Sequence, residues 1–392
     1  MAAAASTTTT DLCIVDADSH LTEPHDLWVS RAPAALRDRV PQVKDVDGRA
    51  SWVVDGIVVG RAMPASVVRR DGTKARGASF VGWTIEDTHP GAYSVPERLA
   101  ALDEEGIWAQ VVYPNTFGFG GQGFMKLADE QLRLATAHIF NDAMAELQAE
   151  SGDRLLPMAI IPWWDVEASV AEVERAAGLG LRGINTTSAP HNFGLPDLTT
   201  PYWDPLWSAC VDLDMPVNFH IGAAESDMAW FGSVGWPSLG LDERLGVGAA
   251  MLFLNNGAVL ANLVIGGVLE RHPALQIVSV ESGVGWIPFF MQALDYQFGE
   301  MSEEVVATLS MMPSEYFRRQ IHACFWFEQE GVDRVIDVLG PERVLFETDF
   351  PHPTCTYPGG VARALEALAG VDNATRVAVM GGNAARLYRI TR

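Results

Sequence analysis

Four residues at the ends of short apolar segments carry the side chains that bind divalent metals. Asp18 and His20 follow the strand-like residues 13–17, His220 ends the segment 216–220, and Asp349 closely follows the apolar residues 344–346. In an extended segment residues two apart point to the same side, so Asp18 and His20 face one way together. Two imidazoles and two carboxylates form a ligand set that suits zinc or another divalent metal such as manganese. The sequence therefore predicts a metal site if the fold brings these segments together.

The loop after Asp349 carries a further histidine. Phe350-Pro351-His352-Pro353 prevents the chain from continuing as a strand, so the loop aims the Asp349 carboxylate into a pocket. His352 either lines that pocket as a catalytic group or braces the loop.

Alternating strand and helix patterns must position these residues. We predict strands at residues 13–17, 108–113, 155–161, 181–185, 216–220, 276–280, 320–325 and 343–348, and helices at 94–106, 128–150, 165–179, 202–213, 244–270, 286–298, 329–339, 361–368 and 375–388. This alternation predicts an α/β fold closed as a (β/α)8 TIM barrel, with its site at the C-terminal ends of the strands. Asp18, His20, His220, Glu281 and Asp349 would meet at that rim. An open doubly wound sheet is the alternative, but no GxGxxG or Walker-type loop follows an early strand.

Residues 27–93 interrupt the alternation after the first strand. Asp55-Gly56 lies between β-branched runs and predicts a hairpin at 51–60. The region is too long for an ordinary barrel loop, so we expect an insertion that covers the pocket as a lid or packs against a second subunit. Residues 1–10 lack the basic and apolar regions of a signal peptide and are expected to form a disordered tail. Residues 11–392 are then a single barrel domain.

Composition limits the partners and the compartment. A net charge of −23 disfavours nucleic acid and anionic membranes as partners but says little about a small-molecule substrate, which the candidate metal site predicts. The four cysteines show no CxxC spacing, which favours reduced thiols in a cytoplasmic protein. Residues 249–269 are the most apolar stretch, but asparagines and glycines interrupt them, which favours buried helix over a membrane span. We expect a cytoplasmic homodimer.

Taken in order, the motifs resemble the amidohydrolase superfamily, specifically the branch of aminocarboxymuconate semialdehyde decarboxylase and the aromatic-acid decarboxylases. The resemblance runs from Val15-Asp16-Ala17-Asp18-Ser19-His20 through Asn218-Phe219-His220 and Glu347-Thr348-Asp349-Phe350-Pro351 to Gly382-Asn383-Ala384-Ala385-Arg386-Leu387-Tyr388. It implies one divalent metal ion held by Asp18, His20, His220 and Asp349, with Asp18 in place of a His or Glu. Binuclear relatives use a carboxylated lysine at the end of strand four. The only lysines here, Lys44, Lys74 and Lys126, lie far from Asn185 in the sequence, so a single metal is expected.

Glu281 departs from the pattern of the decarboxylases that the chain resembles. Those proteins carry a His-x-Gly pattern at the end of strand six, where this chain has Glu281-Ser282-Gly283. A carboxylate at this position could act as a base for metal-activated water, as a proton donor or as a metal ligand. The exchange favours hydrolysis of a small organic substrate, with Glu281 or Asp349 moving protons. Non-oxidative decarboxylation of an aromatic or enoic acid is the alternative, and a barrel that only binds a ligand is the second alternative.

Two further residues are assigned to the substrate pocket. Trp286 follows Glu281 within one loop, and an indole at that position could line an aromatic pocket. His322 lies within the predicted strand 320–325, where it could reach the site or belong to the core.

Overall fold

The structure, a computed structural model, describes residues 12–224, 226–227, 229 and 235–392, so the tail predicted at residues 1–10 lies outside the described residues. Its strands are β1 (Ile14–His20), β2 (Gln42–Val46), β3 (Arg49–Val54), β4 (Ile57–Arg61), β5 (Ile107–Tyr113), β6 (Leu155–Pro157), β7 (Ala159–Ile160), β8 (Ile184–Asn185), β9 (Val217–His220), β10 (Ile277–Val280), β11 (Ile321–Phe325) and β12 (Val344–Phe346). Every predicted barrel strand is present. The strand predicted at 155–161 is divided at Met158, and β2 was not predicted.

Parallel pairing closes these strands into the predicted barrel. One sheet has the order β1-β5-β6, and the other runs from β7 through β8, β9, β10 and β11 to β12. At the first seam, the Met158 amide donates to Val112 O and the Ala159 amide to Gly183 O, at 2.9 and 3.0 Å. At the second seam, the Asp349 amide donates to Asp18 O at 3.0 Å. The backbone at the second seam therefore fixes two of the predicted metal ligands relative to each other.

Helices follow most of the strands. They are α1 (Val95–Glu105), α2 (Glu130–Glu150), α3 (Val166–Gly178), α4 (Asp204–Asp212), α5 (Leu241–Leu252), α6 (Asn256–Ile265), α7 (Val268–Arg271), α8 (Ile287–Gly299), α9 (Glu303–Val306), α10 (Pro313–Gln320), α11 (Val332–Leu339), α12 (Gly360–Ala367), α13 (Asn373–Val377) and α14 (Asn383–Leu387). The helix predicted at 244–270 is three helices, and the one predicted at 375–388 contains a π-helical segment, Ala378–Gly382. α9 and α10 were not predicted.

The insertion contains an antiparallel sheet of β2, β3 and β4. Asp55 and Gly56 join β3 to β4 with φ of 50° and 80°, the conformation of a type I′ turn, so the predicted hairpin is confirmed. Trp52 of this sheet is buried and packs edge-on against the buried Trp28, with ring centroids 5.3 Å apart. The sheet is thus joined to the main core by aromatic packing.

The C-terminal helical segment contributes to the inner core of the barrel. Tyr388 is fully buried in a cluster with inward-facing strand residues, including Val15, Val111 and Val278. Its hydroxyl donates to Asn218 Oδ1 at 2.6 Å. At Gly381 a Cβ atom would overlap the carbonyl of Cys13, so only glycine permits this approach of the π-helical segment to the first strand.

Residues 241–265 form a helical stretch that is long and apolar enough to cross a membrane by length and composition, with a mean hydropathy of 1.6. Within it, 44% of the most apolar window is buried inside the structure, as in the core helices of many proteins. The absence of a membrane partner stays a prediction.

Candidate metal centre

The strand ends bring the predicted metal-binding side chains into one buried cluster. His20 Nε2 lies 3.1 Å from His220 Nε2, and each of these nitrogens is 3.6 Å from Asp18 Oδ1. Asp349 Oδ1 is also 3.6 Å from His20 Nε2. Glu281 Oε2 approaches His220 Nε2 to 3.3 Å. Two sets of potential ligand atoms each lie within 4.8 Å of one another: Asp18, His20, His220 and Glu281, and His20, Glu281, Asp349 and His352.

These residues fit a divalent metal because their donor atoms face one another without other partners. Both carboxylate oxygens of Asp18 and Oδ1 of Asp349 are buried and have no hydrogen-bond partner in the structure. His220 Nδ1 lies 2.7 Å from Ile221 O, so it donates there and leaves the Nε2 lone pair directed at the cluster. Buried carboxylates without partners are costly, and a cation bound among them would offset that cost.

The pKa shifts of Asp349, Glu281 and His220 arise from burial and from the neighbouring carboxylates of this cluster. Burial, followed by the nearby Asp18 carboxylate, raises the pKa of Asp349 well above its ordinary value. Burial and then Asp349 raise the pKa of Glu281 in the same way. Burial alone would lower the pKa of His220, but Asp18 and Glu281 more than offset this and raise it. Negative charge is therefore crowded at this site in the protein alone.

Backbone strain occurs at two of the carboxylates. Glu281 and Asp349 each follow a barrel strand closely and have φ of 54° and 57°. Left-handed φ is uncommon outside glycine and costs free energy unless surrounding contacts fix it. Here the Glu281 amide lies 3.2 Å from Glu347 Oε2, and the Asp349 amide donates to β1. The turns direct both carboxylates toward the two histidines rather than along the strands.

His352 lies at the centre as well as in the loop. Its ring stacks on His20 with centroids 3.5 Å apart, and Nδ1 is 3.2 Å from Asp349 Oδ1. Nε2 lies 2.8 Å from Asn115 Oδ1, while Asn115 Nδ2 donates to Leu21 O. The Asn115 oxygen is thus an acceptor, and His352 carries its proton on Nε2. Both readings of His352 from the sequence, a pocket group and a brace, agree with this geometry.

A hydroxyl connects the two strained carboxylates. Thr354 Oγ1 lies 2.7 Å from Asp349 Oδ2 and 3.2 Å from Glu281 Oε1. Thr354 was not predicted from the sequence, although its position in the loop after Asp349 was a signal. A shared hydroxyl can relay a proton between two carboxyl groups.

Phe119 forms an aromatic wall beside the imidazoles. Its ring centroid lies 4.3 Å from His220, 5.1 Å from His20 and 5.6 Å from His352. The ring is half-buried, so one part stays accessible. Phe119 was not predicted from the sequence, although an aromatic residue in the glycine-rich stretch 116–121, directly after the second barrel strand, was a signal.

A buried hydrogen-bond network beneath the metal centre joins β1 to the residues after β12. Asp16 accepts the Thr348 amide at 2.8 Å, the Thr348 hydroxyl, Gln110 Nε2 at 2.7 Å and the Asp18 amide at 3.2 Å. Gln110 Oε1 in turn accepts from the fully buried Arg98 at 3.0 Å. Arg98 also donates to the carbonyl of His20. The network places Asp18 and the chain before Asp349 through their backbones, and none of these supporting roles was predicted.

Glu347 is a further carboxyl group next to the centre. It is fully buried, and its pKa is raised well above the ordinary value by burial and then by Asp18. The sequence contained a signal, because Glu347 and Asp349 are two residues apart at a strand end.

The two residues assigned to the substrate pocket lie elsewhere. His322 is the second residue of β11 and contacts Gln276 and Arg343, which precede β10 and β12. It therefore lies at the N-terminal end of the barrel, and its assignment to the pocket is corrected. Trp286 packs edge-on against Phe290, with centroids 5.1 Å apart, and donates to Ser282 O. These contacts place the indole against the outer helices.

Comparison with known proteins gives the same family as the motifs. The amidohydrolase family model, Amidohydro_2, matches residues 127–390. A 2-amino-3-carboxymuconate-6-semialdehyde decarboxylase from Dictyostelium discoideum is 24% identical over 295 residues, covering 73% of this chain and 74% of that protein. A gamma-resorcylate decarboxylase from Rhizobium sp. (strain MTP-10005) is 25% identical over 306 residues, covering 75% of this chain and 86% of that protein.

Solved structures share the fold over nearly the whole chain. An amidohydrolase from Mycobacterium avium subsp. paratuberculosis K-10 superposes with a TM-score of 0.72 at 20% identity, covering 96% of this chain and 99% of that one. A dihydroxybenzoic acid decarboxylase from Polaromonas sp. JS666, with bound manganese and the inhibitor 2-nitroresorcinol, gives 0.62 at 18% identity and covers 97% of both chains. With the family match and the buried ligand cluster, the chain belongs to the amidohydrolase family as a metal-dependent enzyme of that superfamily.

Proposed function

We propose that this enzyme catalyses the metal-dependent, non-oxidative decarboxylation of an aromatic or enoic carboxylic acid. The observation that carries the proposal is that decarboxylases match about three-quarters of this chain, whose strand ends bring a buried cluster of potential metal ligands together. This reverses the order of preference from the sequence, where the Glu281 exchange favoured hydrolysis.

Asp18, His20, His220 and Asp349 would hold one divalent ion, with Glu281 within reach of the same position. When bound, the ion supplies positive charge that anchors and polarises a substrate carboxylate and a neighbouring oxygen. Nitrogen and oxygen ligands suit zinc. Manganese is the second candidate, because the decarboxylase from Polaromonas sp. JS666 was solved with bound manganese. Elemental analysis should find one metal per chain, and two per chain would contradict this assignment.

Phe119 gives the substrate a flat surface to lie against. A planar ring or enoic system can stack on an aromatic side chain, and such pairs contribute about 0.5–1.5 kcal/mol beyond area burial. Phe119→Leu should therefore raise KM for an aromatic acid several-fold and leave the metal content intact. The same change at Phe117, which packs on Phe124 with centroids 4.1 Å apart, should affect stability instead.

Glu281 and Asp349 would transfer the proton that the reaction requires. In decarboxylation the bond from the ring or chain carbon to the carboxylate breaks, its electron pair stays on that carbon, and the carbon takes one proton as carbon dioxide leaves. Glu281 is the proposed donor because it faces the centre, and Thr354 connects it to Asp349. The ring of His352 is held by the hydrogen bond from its Nε2 to Asn115 and stacks on the ring of His20.

Release of carbon dioxide tests the proposal directly. Metal-loaded enzyme should release carbon dioxide stoichiometrically with substrate loss from at least one member of a panel of hydroxybenzoates and enoic acids. In deuterium oxide, one deuterium should appear on the carbon that bore the carboxylate. Turnover of esters, amides or lactones without carbon dioxide release would overturn decarboxylation.

Hydrolysis is the second candidate, and one observation favours it. Glu281 Oε2 lies 3.3 Å from His220 Nε2, where a carboxylate could take a proton from a water molecule polarised at the centre. Incorporation of oxygen from ¹⁸O-labelled water into the product would identify this reaction, whereas decarboxylation incorporates none into the residual organic product.

We also propose that the insertion closes over the substrate. Thr22 Oγ1 donates to Pro64 O at 2.7 Å, and the Val67 amide donates to Pro351 O at 3.0 Å, so the insertion contacts the loops after both β1 and β12. The Lys74 ammonium donates to the Cys355 carbonyl, directly after Thr354. This places a cation at the rim, where a substrate carboxylate would benefit from it.

Lys74→Met tests this role of the insertion. It should raise KM for a carboxylate substrate by roughly tenfold, the effect of losing one charge-assisted hydrogen bond, while metal content stays unchanged. Lys44→Met, which alters an exposed lysine on β2, is the matched control. Equal KM values for the two variants would remove Lys74 from substrate binding.

A further inference from the structure

A cavity of about 420 Å³ opens at the end of the barrel opposite the metal centre. The cavity is lined by His322 of β11, by Arg343 directly before β12, by Arg386 of α14 and by Arg389 after it. A concentration of arginines is unexpected in a chain whose formal net charge is −23. Such a cavity is electrostatically suited to a negatively charged ligand.

The arginines of this cavity form no ion pair with a carboxylate in the described residues, although Glu342 and Asp214 lie near enough to Arg343 and Arg389 to favour their charged forms. In the described residues, the arginine ion pairs involve Arg31, Arg39, Arg154, Arg175, Arg182 and Arg271, and none of the three in the cavity. Two carboxylates, Asp214 and Glu342, also line the cavity. Arg389 contacts Asp214 through the backbone carbonyl rather than the carboxylate.

Hydrogen-bonding capacity also remains available on Arg343 and Arg386. Arg386 Nη2 donates to Asn383 Oδ1 at 2.7 Å, which leaves Nε and Nη1 for another acceptor. Arg343 donates from Nε to Arg318 O and from Nη1 to Gln276 and His322, which leaves Nη2. Planar guanidinium groups with free N–H groups match the oxygens of carboxylate and phosphate.

His322 lines the same cavity as a neutral imidazole. The side chain is only 5% exposed, and its Nε2 lies 3.0 Å from Arg343 Nη1 and 3.1 Å from Gln276 Oε1. Burial, followed by Arg343 and Arg386, lowers the pKa of His322 to about 3, so the ring adds no positive charge at neutral pH. The positive charge of the cavity therefore comes from the arginines.

We infer that this cavity binds a small oxyanion, either a phosphate or a carboxylate, through Arg343 and Arg386. The bound anion would join the residue before β12 to α14 at a place where the chain now brings together like charges. Binding only to the folded protein would raise its thermal stability as the anion concentration rises. This site is separate from the metal centre and does not depend on the reaction proposed above.

Calorimetric titration of the metal-loaded enzyme with sodium phosphate tests the inference. It is done in 0.15 M sodium chloride so that loose counter-ion attraction is screened. We expect one phosphate per chain and a saturable rise in melting temperature. Arg386→Gln should weaken binding by roughly tenfold through the loss of a charge-assisted hydrogen bond. Arg37→Gln, which alters an exposed arginine in the insertion, should have no effect.

Two further titrations separate binding in the cavity from binding to the metal ion, and phosphate from carboxylate. Phosphate can also bind a metal ion, so the titration is repeated with His220→Ala, which should retain the cavity site. A parallel titration with sodium acetate shows whether the cavity prefers carboxylate over phosphate. The inference fails if neither anion binds at millimolar concentration, if Arg386→Gln binds as tightly as the unchanged enzyme, or if binding disappears in His220→Ala.

Discussion

Two groups of buried carboxylates in this barrel are stabilised in opposite ways. Between α2 and α3, Glu172 is paired with Arg175 at 2.8 Å and with His138 at 3.0 Å. At the strand ends, Asp18, Asp349 and Glu281 have no lysine or arginine in salt-bridge contact within the described part of the chain. Both groups are excluded from solvent, so burial alone does not explain the difference.

The pKa values give the lesson of this comparison. Burial by itself would raise the pKa of Glu172, but hydrogen bonds from Arg175, His138 and Asn141 lower it to about 2. At Asp349 burial and the neighbouring Asp18 raise the pKa well above its ordinary value, although Lys74 acts in the opposite direction. The Glu172 group is complete within the protein and serves stability. The metal centre lacks such stabilising ion pairs and can instead bind a cation from solution. Four predictions test this contrast.

His220→Ala should have the largest effect. Removing one of two imidazole ligands should strip most of the metal and lower activity by more than the roughly 10- to 100-fold cost of losing a group that only orients a ligand. Metal content is measured by elemental analysis after dialysis. His272→Ala is the control, because His272 Nε2 pairs with Asp204 at 3.0 Å, away from the centre. Equal metal loss in both variants would place the site elsewhere.

Glu281→Gln should leave metal in place and lower turnover by roughly 10²- to 10⁴-fold, the usual cost of losing a general acid or base. Glutamine keeps the volume of the side chain but holds no transferable proton. Metal content and rate are measured on one preparation. A fall in metal content would identify Glu281 as a ligand, whereas full activity with full metal would exclude the role proposed here.

Glu172→Gln should show the reverse phenotype, with normal turnover and lower stability. A folded-state pKa of about 2, against the ordinary 4.5, means that the pair stabilises the fold above pH 4.5 and loses that contribution as pH falls towards 2. In urea unfolding, the variant should be about 2 kcal/mol less stable than the unchanged enzyme at pH 7 and much closer to it at pH 3. Glu174→Gln, on the exposed face of α3, should change little. A difference that stayed constant with pH would mean that charge is not its cause.

Asp16→Asn should have the smallest effect, because Asp16 supports the ligands without facing the metal. Asparagine offers one acceptor oxygen where Asp16 now receives four donors from Thr348, Gln110 and the Asp18 amide. Metal affinity should fall by about tenfold while the fold persists. Asp197→Asn is matched to it, since Asp197 also accepts an amide and a hydroxyl, from Thr199, but at the surface. Unchanged metal affinity in Asp16→Asn would show that backbone pairing alone places the ligands.

Sequence patterns predicted the ligand cluster because parallel strands of a barrel end at one rim. Asp18, His20, His220, Glu281 and Asp349 could be found from strand ends without knowing how the strands pair. The assignment of His322 did not follow this argument, because His322 lies near the start of its strand, and in a barrel of parallel strands that end is opposite the site. Trp286 was misjudged for another reason, since a short loop to Glu281 did not require the indole to face inward.

The supporting residues depended on pairing that one sequence does not reveal. Gln110 reaches Asp16 because β5 lies beside β1 with these two residues in register. Arg98 and Phe119 come from a helix and a loop whose orientation is set by packing on the finished barrel. α10 was missed because it runs directly into β11 at Ile321, without a glycine or proline to separate the two patterns.

The hydroxyl of Tyr388 has a consequence for the order of events during synthesis. It binds Asn218 within the barrel, together with the hydroxyl of Tyr113, yet it is made after all of the strands. A ribosome-bound chain that has completed β12 still lacks this layer of the interior. The barrel can therefore reach its final packing only after α14 and Tyr388 have emerged from the ribosome. A nascent chain stalled before Tyr388 should be more sensitive to protease than a full-length chain held on the ribosome by an added C-terminal linker.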